Sequence, residues 1–222
     1  MYSHADLGNT DSGLLRVRIH VVDDDPASRE SLYTFLQSKG FDAERFESAQ
    51  DFLASVGSEE AACLITDLKM PGMNGLELQE ELARRGFDFP VIVVSGYADV
   101  PSTVRAMRNG AVTLLEKPYR EEDLEAAVRE SVRLVRQRHE RRCRQQETVN
   151  RLETLTDAER EIMELLLNGT SNKSIASQLD LGLRTVERRR HVLLEKMGVA
   201  SLPELARMVA EIEICPESSG RA

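Results

Sequence analysis

The stretch LITDLKMPGMNG, residues 64–75, decides the fold. An apolar run of β-formers ends on Asp67, and Pro71, Gly72 and Gly75 follow closely. That pattern predicts a buried strand that carries a carboxylate to its C-terminal end, and then a turn. In open α/β sheets that edge is where ligands bind.

Outward from this stretch, the first 120 residues alternate between two patterns. Short apolar runs at Val17–Val22, Ala62–Thr66, Val91–Val94 and Thr113–Leu115, with a weaker one at Asp42–Phe46, read as strands. Helical patterns fall between them at Ala27–Lys39, Ala49–Ser55, Gly75–Arg85 and Val100–Asn109, and another starts at Glu121. Five strand–helix alternations predict an α/β domain, a doubly wound parallel sheet with helices on both faces. A unit of about 105 residues is large enough for its own core.

From Glu121 the helical pattern runs on. Leu124, Val128, Val132, Val135, His139, Cys143 and Val149 recur near helical spacing with seven arginines among them, and no Gly or Pro occurs from Arg120 to Asn168. One long helix serving as a spacer is expected, and a merely solvated arginine-rich helix fits equally well. The remainder is all helical. Thr156 followed by Glu159 is a capping-box signature, and Asn168-Gly169 is a C-cap pair. NKSIASQLDL, a short turn at Gly182, and RTVERRRHVLLEKMG read as two helices in a helix-turn-helix. A last helix is expected over Leu202–Ile214.

Composition bounds the function. Of 222 residues, 41% are hydrophobic and 30% charged, as in globular chains. No apolar run approaches the roughly 20 residues needed to cross a bilayer, and the N-terminus lacks a secretory pattern. Cys63, Cys143 and Cys215 are far apart and lack metal spacing, so reduced thiols in a cytoplasmic protein are expected. The net charge is −9, yet residues 169–198 hold six Lys/Arg against three Asp/Glu. A local basic face of this kind can bind nucleic acid on an acidic chain.

A second acidic stretch, VVDDDPASRE, places Asp23, Asp24 and Asp25 after the first strand. If that strand lies beside the one ending at Asp67, three carboxylates meet. Such a cluster needs neutralising, and Mg²⁺ suits a few carboxylates and several waters. VVVSG brings Ser95 to the same edge, and LLEKP brings Lys117. A nucleophilic carboxylate flanked by a divalent cation, a lysine and a hydroxyl is a constellation for phosphoryl transfer to aspartate. Taken singly, each feature has a plain reading as a solvated turn or helix cap; it is their joint placement at the ends of strands 1, 3, 4 and 5 that favours chemistry.

These residues resemble the receiver domain of bacterial two-component response regulators. The matches are Asp23-Asp24, D-x-x-M-P-x-M-x-G over Asp67–Gly75, Ser95-Gly96 and Lys117-Pro118. The resemblance implies that Asp67 is the phosphoacceptor. Asp24, Asp67 and the backbone carbonyl of Lys69 would ligate Mg²⁺, with Asp23 on a metal-bound water. Ser95 and Lys117 would be the switch hydroxyl and the site lysine, and Pro71 and Gly75 would shape the turn. One position departs: Leu114 stands where the family usually has Tyr or Phe, and Tyr97 and Tyr119 lie nearby in sequence.

The last part is similar to the LuxR-type helix-turn-helix, through L-T-x-x-E at Leu155–Glu159, N-K-x-I-A at Asn172–Ala176, R-T-V-E at Arg184–Glu187 and Lys196-Met197. Together the two halves resemble the FixJ/NarL subfamily, nearest its FixJ-like branch. The implied division is a polar tail over 1–15, a receiver over 16–122, an extended linker helix over 123–152, a four-helix DNA-binding domain over 153–215 and a tail over 216–222. By position, Glu187, Arg188 and His191 would face bases. Lys173, Arg184, Thr185 and Arg189 would touch phosphates, Arg189 replacing the family's common histidine. The last helix, through Leu205, Met208, Val209 and Ile212, would be either a dimer contact on DNA or ordinary core. The resemblance implies a partner sensor histidine kinase, double-stranded promoter DNA and a homodimer when phosphorylated. It implies no membrane, and no enzyme activity beyond self-phosphorylation from a donor and autodephosphorylation. Two rivals remain. A phosphorylation-independent regulator would use the receiver as a dimer scaffold. An aspartate-nucleophile phosphatase would need an acid two residues past Asp67, where Lys69 stands.

Overall fold

The computed structural model describes residues 15–57, 61–96 and 99–213. The chain divides into two compact units, with the boundary between His139 and Glu140.

In the first unit, β1 (Arg18–Val22), β2 (Asp42–Phe46), β3 (Ala62–Asp67), β4 (Val91–Ser95) and β5 (Ala111–Glu116) form one sheet in the order β2-β1-β3-β4-β5. Every adjacent pair is parallel. The helices are α1 (Pro26–Ser38), α2 (Ala49–Ser55), α3 (Gly75–Arg84), α4 (Val100–Arg108) and α5 (Glu121–Glu153). The central strands are apolar throughout because both of their faces are covered. Alternate residues of β3 and β4 feed opposite layers. Leu64, Val91 and Val93 pack with Phe52, Leu78, Leu82 and Ala106 of α2–α4. Cys63, Ile65, Ile92 and Val94 pack with Leu32, Leu36, Leu124 and Val128 of α1 and α5. The doubly wound arrangement is the predicted one, and it sets β1 directly beside β3.

The PGMNG turn has a specific cause. Asn74 caps α3 in a reciprocal capping box with Glu77. Gly75, the first helical residue, lies so close to the end of β3 that a Cβ there would overlap the Asp67 carbonyl and press on Thr66 Cγ2. The Gly75 N–H also donates to the Leu68 carbonyl at 3.2 Å. Helix α3 can therefore start directly against the strand that delivers Asp67 only because this residue has no side chain.

Helix α5 belongs to both units. Leu124, Ala127, Val128 and Val135 are buried in the first unit's core, Lys39 pairs with Glu125 at 2.6 Å, and Arg138 donates to the Asp88 carbonyl at 2.8 Å. The division implied by the resemblance ended the receiver at 122; α5 stays in the first unit's core as far as Val135. In the second unit, α6 (Asp157–Leu167), α7 (Asn172–Gln178), α8 (Leu183–Met197) and α9 (Leu202–Glu213) follow the end of α5. Leu155, Ile162, Met163, Leu166, Ile175, Val186, Leu193, Met197 and Leu205 form its core. The Thr156–Glu159 capping box starts α6 as expected. The short turn expected at Gly182 joins α7 to α8. Gly182 is the extended N-cap of α8, and the left-handed residue is Asp180, with φ 51°. Aspartate tolerates that region because its short polar side chain bonds locally. Leu205 is fully buried, and Met208 and Val209 pack on the same core, so α9 holds its own unit together.

Gly75→Ala should destabilise the first unit by about 1–3 kcal/mol, the usual cost of overpacking. A Cβ at Gly57 meets nothing within 4 Å, so Gly57→Ala should change little. Denaturant unfolding of the full chain checks both.

Candidate functional sites

Two sets of side chains stand out, one in each unit. The first gathers at the C-terminal edge of the sheet. Carboxylate oxygens of Asp23, Asp24 and Asp67 lie within 4.8 Å of one another. Asp23 is buried, Asp67 half-buried and Asp24 exposed. Lys117 follows β5, its backbone N–H held by the Ser95 carbonyl at 2.7 Å. Its ammonium donates to Asp23 Oδ2 at 2.9 Å and lies 4.0 Å from Asp67 Oδ2. Ser95 is buried at the end of β4. The structure thus brings together all five residues read from the strand ends.

Sequence reasoning missed two members of this site. The Ser28 hydroxyl donates to Asp23 Oδ2 at 2.6 Å and accepts from Lys117 at 2.7 Å. Arg29 donates to the backbone carbonyls of Asp23 and Asp24, at 2.6 and 3.2 Å. Both sit in the first turn of α1, which Asp25 caps by accepting from Ala27 and Ser28 N–H groups. Their only sequence signal was proximity to the acidic run.

Burial pushes the Asp67 carboxyl above its ordinary value; Lys117 opposes this, Asp23 adds to it, and the backbone N–H groups of Leu68 and Lys69 oppose it again. Three hard oxygen donors this close suit a small divalent cation. The oxygens of Asp23 already accept from Asp25 N–H, Ser28 and Lys117, while Asp24 faces solvent and Asp67 Oδ1 accepts from Leu68 N–H at 2.8 Å. This donor set fits Mg²⁺.

The second set lies on α8. Arg184, Glu187, Arg188 and His191 are exposed, at the i, i+3, i+4, i+7 spacing of one helix face. Val186, Leu193 and Met197 are buried on another face. Thr185 and Arg189 on the same helix are partly exposed, and Lys173 on α7 is exposed. Arg190, also partly exposed, adds a base that sequence reasoning did not select. The C-terminal end of α8 is tied down. Lys196 pairs with Glu159 at 2.7 Å, and Arg151 of α5 donates to the Met197 carbonyl at 2.6 Å.

Residues 19–129 match the family model described as response regulator receiver domain, and 153–209 match bacterial regulatory proteins, luxR family. The chain is 41% identical over 198 residues to the transcriptional regulatory protein FixJ of Azorhizobium caulinodans, covering 89% of this chain and 94% of that one. The chain belongs to the two-component response regulators.

It is a DNA-binding transcriptional regulator controlled by phosphorylation. Response regulator protein TmoT of Ectopseudomonas mendocina is 37% identical, covering 88% of this chain and 89% of that one. Among solved structures, response regulator StyR superposes with a TM-score of 0.78 at 36% identity, covering 88% and 99% of the two chains. Full-length FixJ from B. japonicum gives 0.56 at 35%, covering 91% and 100%.

The response regulator's departure at Leu114 is visible in its packing. Leu114 is partly buried against the cluster that holds Met70, Val93 and Ala106. Tyr119 packs on the opposite layer, with its hydroxyl pushed up by burial and then by Asp23, so it does not share Leu114's space. Tyr97 lies outside the described residues. Cys63 is buried, which pushes its thiol up to about 12, while Cys143 is exposed, and Cys215 lies outside the described residues. Helix α4 exposes Val100, Val104 and Met107, an apolar stripe at i, i+4, i+7. No helix among the described residues is long and apolar enough to cross a membrane.

Because folded Asp67 holds its proton above the ordinary 3.8, the folded receiver is penalised above that raised value. It regains stability as pH falls through it. Without Mg²⁺ at neutral pH, Asp67→Asn should therefore melt a few degrees above wild type. The difference should vanish below the ordinary carboxylate range. Adding Mg²⁺ should raise the melting temperature of wild type only. Calorimetric melts across pH check this.

Proposed function

We propose that Asp67 is the phosphoacceptor and that a sensor histidine kinase supplies the phosphoryl group in the cytoplasm. The observation that carries this is the convergence of Asp23, Asp24, Asp67 and Lys117 at one sheet edge. An Asp67 carboxylate oxygen attacks phosphorus, the P–N bond of the phosphohistidine breaks, and its electron pair leaves with the imidazole, which takes up a proton. Asp24, Asp67 and the Lys69 carbonyl would hold Mg²⁺, with Asp23 on a bound water, and the ion would supply positive charge to the phosphoryl oxygens. Lys117 moves its ammonium onto another of these oxygens, and Ser95 donates a hydrogen bond to a third. The new charge biases a two-state element, the face built from α4, β5 and the start of α5.

The output is dimerisation and promoter binding. A second copy of the receiver is the occupant that suits the Val100–Val104–Met107 stripe, since it borders β5, where Leu114 pairs with Val93 of the strand that ends at Ser95. In the dimer two α8 helices engage half-sites of double-stranded DNA. Glu187, Arg188 and His191 reach base edges, and Lys173, Arg184, Thr185 and Arg189 contact phosphates. The packing of Leu114 against the core favours a second reading, in which the receiver is a phosphorylation-independent dimer scaffold.

Light scattering of the full chain in Mg²⁺ separates the two. Beryllofluoride should convert monomer to dimer in wild type but not in Asp67→Asn or Val104→Asp. A dimer of unchanged mass in all three would establish the scaffold reading. On DNA, Arg188→Ala should lose about 1–3 kcal/mol of discrimination between a bound promoter and a version altered at one base pair. Arg184→Ala should weaken all sequences alike and lower the salt slope by about one. Salt-dependent binding titrations measure both effects.

A further inference from the structure

Lys117 sits off-centre in the acidic site. Its ammonium is 2.7 Å from Ser28 Oγ and 2.9 Å from Asp23 Oδ2, but 4.0 Å from Asp67 Oδ2. Ser28 Oγ is in turn 2.6 Å from Asp23 Oδ2. The three groups close a triangle whose donors and acceptors balance. The serine proton goes to the carboxylate, which can only accept, so a lone pair of the hydroxyl faces the ammonium. Both ties pull Lys117 towards α1 and away from the acceptor carboxylate.

Ser28 is itself fixed. Its N–H donates to the Asp25 carboxylate at 3.1 Å, within the first turn of a helix that Leu32 and Leu36 anchor in the core. Arg29 holds the two carbonyls just before that turn. While the 2.7 Å bond holds, Lys117 is drawn towards this fixed point.

We infer that Ser28 is a positioning residue that latches Lys117 in the resting receiver and so slows phosphorylation of Asp67. The inference rests on Asp67 as the phosphoacceptor. The bond from Ser28 to Lys117 exists in the resting state and is given up as the ammonium turns to the incoming phosphoryl group. An interaction made only in the ground state retards the step, and its removal accelerates it. A serine that merely supported Asp23 would have the opposite effect on removal, because Asp23 would lose a donor and Lys117 would gain nothing.

The probe donor is acetyl phosphate in Mg²⁺, with the full chain followed by intact mass. In this reaction an Asp67 oxygen attacks phosphorus, the phosphorus–oxygen bond to the acetyl group breaks, and acetate leaves with the electron pair. Ser28→Ala should be phosphorylated roughly 5- to 10-fold faster than wild type, the factor for one hydrogen bond of ordinary net strength. Ser28→Thr, which keeps the hydroxyl, should retain the wild-type rate. Mg²⁺ affinity by titration calorimetry should stay within about twofold in Ser28→Ala, which places the gain in Lys117. The latch is overturned if Ser28→Ala reacts at the wild-type rate or more slowly, if Ser28→Thr is as fast as Ser28→Ala, or if tighter Mg²⁺ binding accounts for the whole gain. Should wild type and Asp67→Asn take up phosphate equally or not at all, Asp67 is not the acceptor and the latch falls with it.

Discussion

Like charges crowded at the rim of a sheet repel, and the receiver is organised around that repulsion. β1 and β3 are neighbours, so the residues following and ending them, Asp23 and Asp67, share one small volume. Burial makes the charge on Asp67 costly, and Asp23 makes it costlier still. The countercharge comes from the far side of the sheet, where the chain leaving β5 turns Lys117 back across Ser95. A site that is uncomfortable when empty has a built-in affinity for what relieves it, a cation first and a phosphoryl group held by that cation second. The rest of the fold, with both faces of β3 and β4 sealed by helices, keeps these groups from relaxing apart.

Much of this was legible because the chemistry sits at strand ends. Asp67, Ser95 and Lys117 each end or follow an apolar run, and a run of that kind fixes where its last residue emerges. Gly75 was legible as a turn residue, but its true constraint, the Asp67 carbonyl lying where a Cβ would stand, is a contact in space. Ser28 had no signal beyond its closeness to the acidic run, since its partner Lys117 is 89 residues away and meets it only once α1 has docked. The limit of the receiver was hidden for a related reason. Apolar spacing along α5 continues through Val132 and Val135 and carries no mark of which surface each residue covers. At the helix-turn-helix, the turn was legible from Gly182, but which residue takes the left-handed backbone was not, and it is Asp180.

Sequence also left α9 open between core and interface. Its apolar set is periodic, and periodicity cannot distinguish a neighbour in the same chain from one in another. Leu205, completely buried, decides for the core at that position, and Gln145 of α5 reaches the Glu211 carbonyl at 2.8 Å. The end of α5, α8 and α9 thus form a single support in the second unit.

The anchoring of α8 has a mechanical consequence. At one end Lys196 and Arg151 bolt the helix to the start of α6 and the end of α5, and Gly198 is the residue whose missing side chain leaves room for the Arg151 guanidinium. At the other end Gly182 caps it without any side-chain bond. Val186, fully buried near that end, seats the helix on the core, so its hold there is apolar packing rather than polar ties. Apolar packing is non-directional, so the basic tip can turn slightly to suit a groove while Lys196 and Arg151 keep the other end in place.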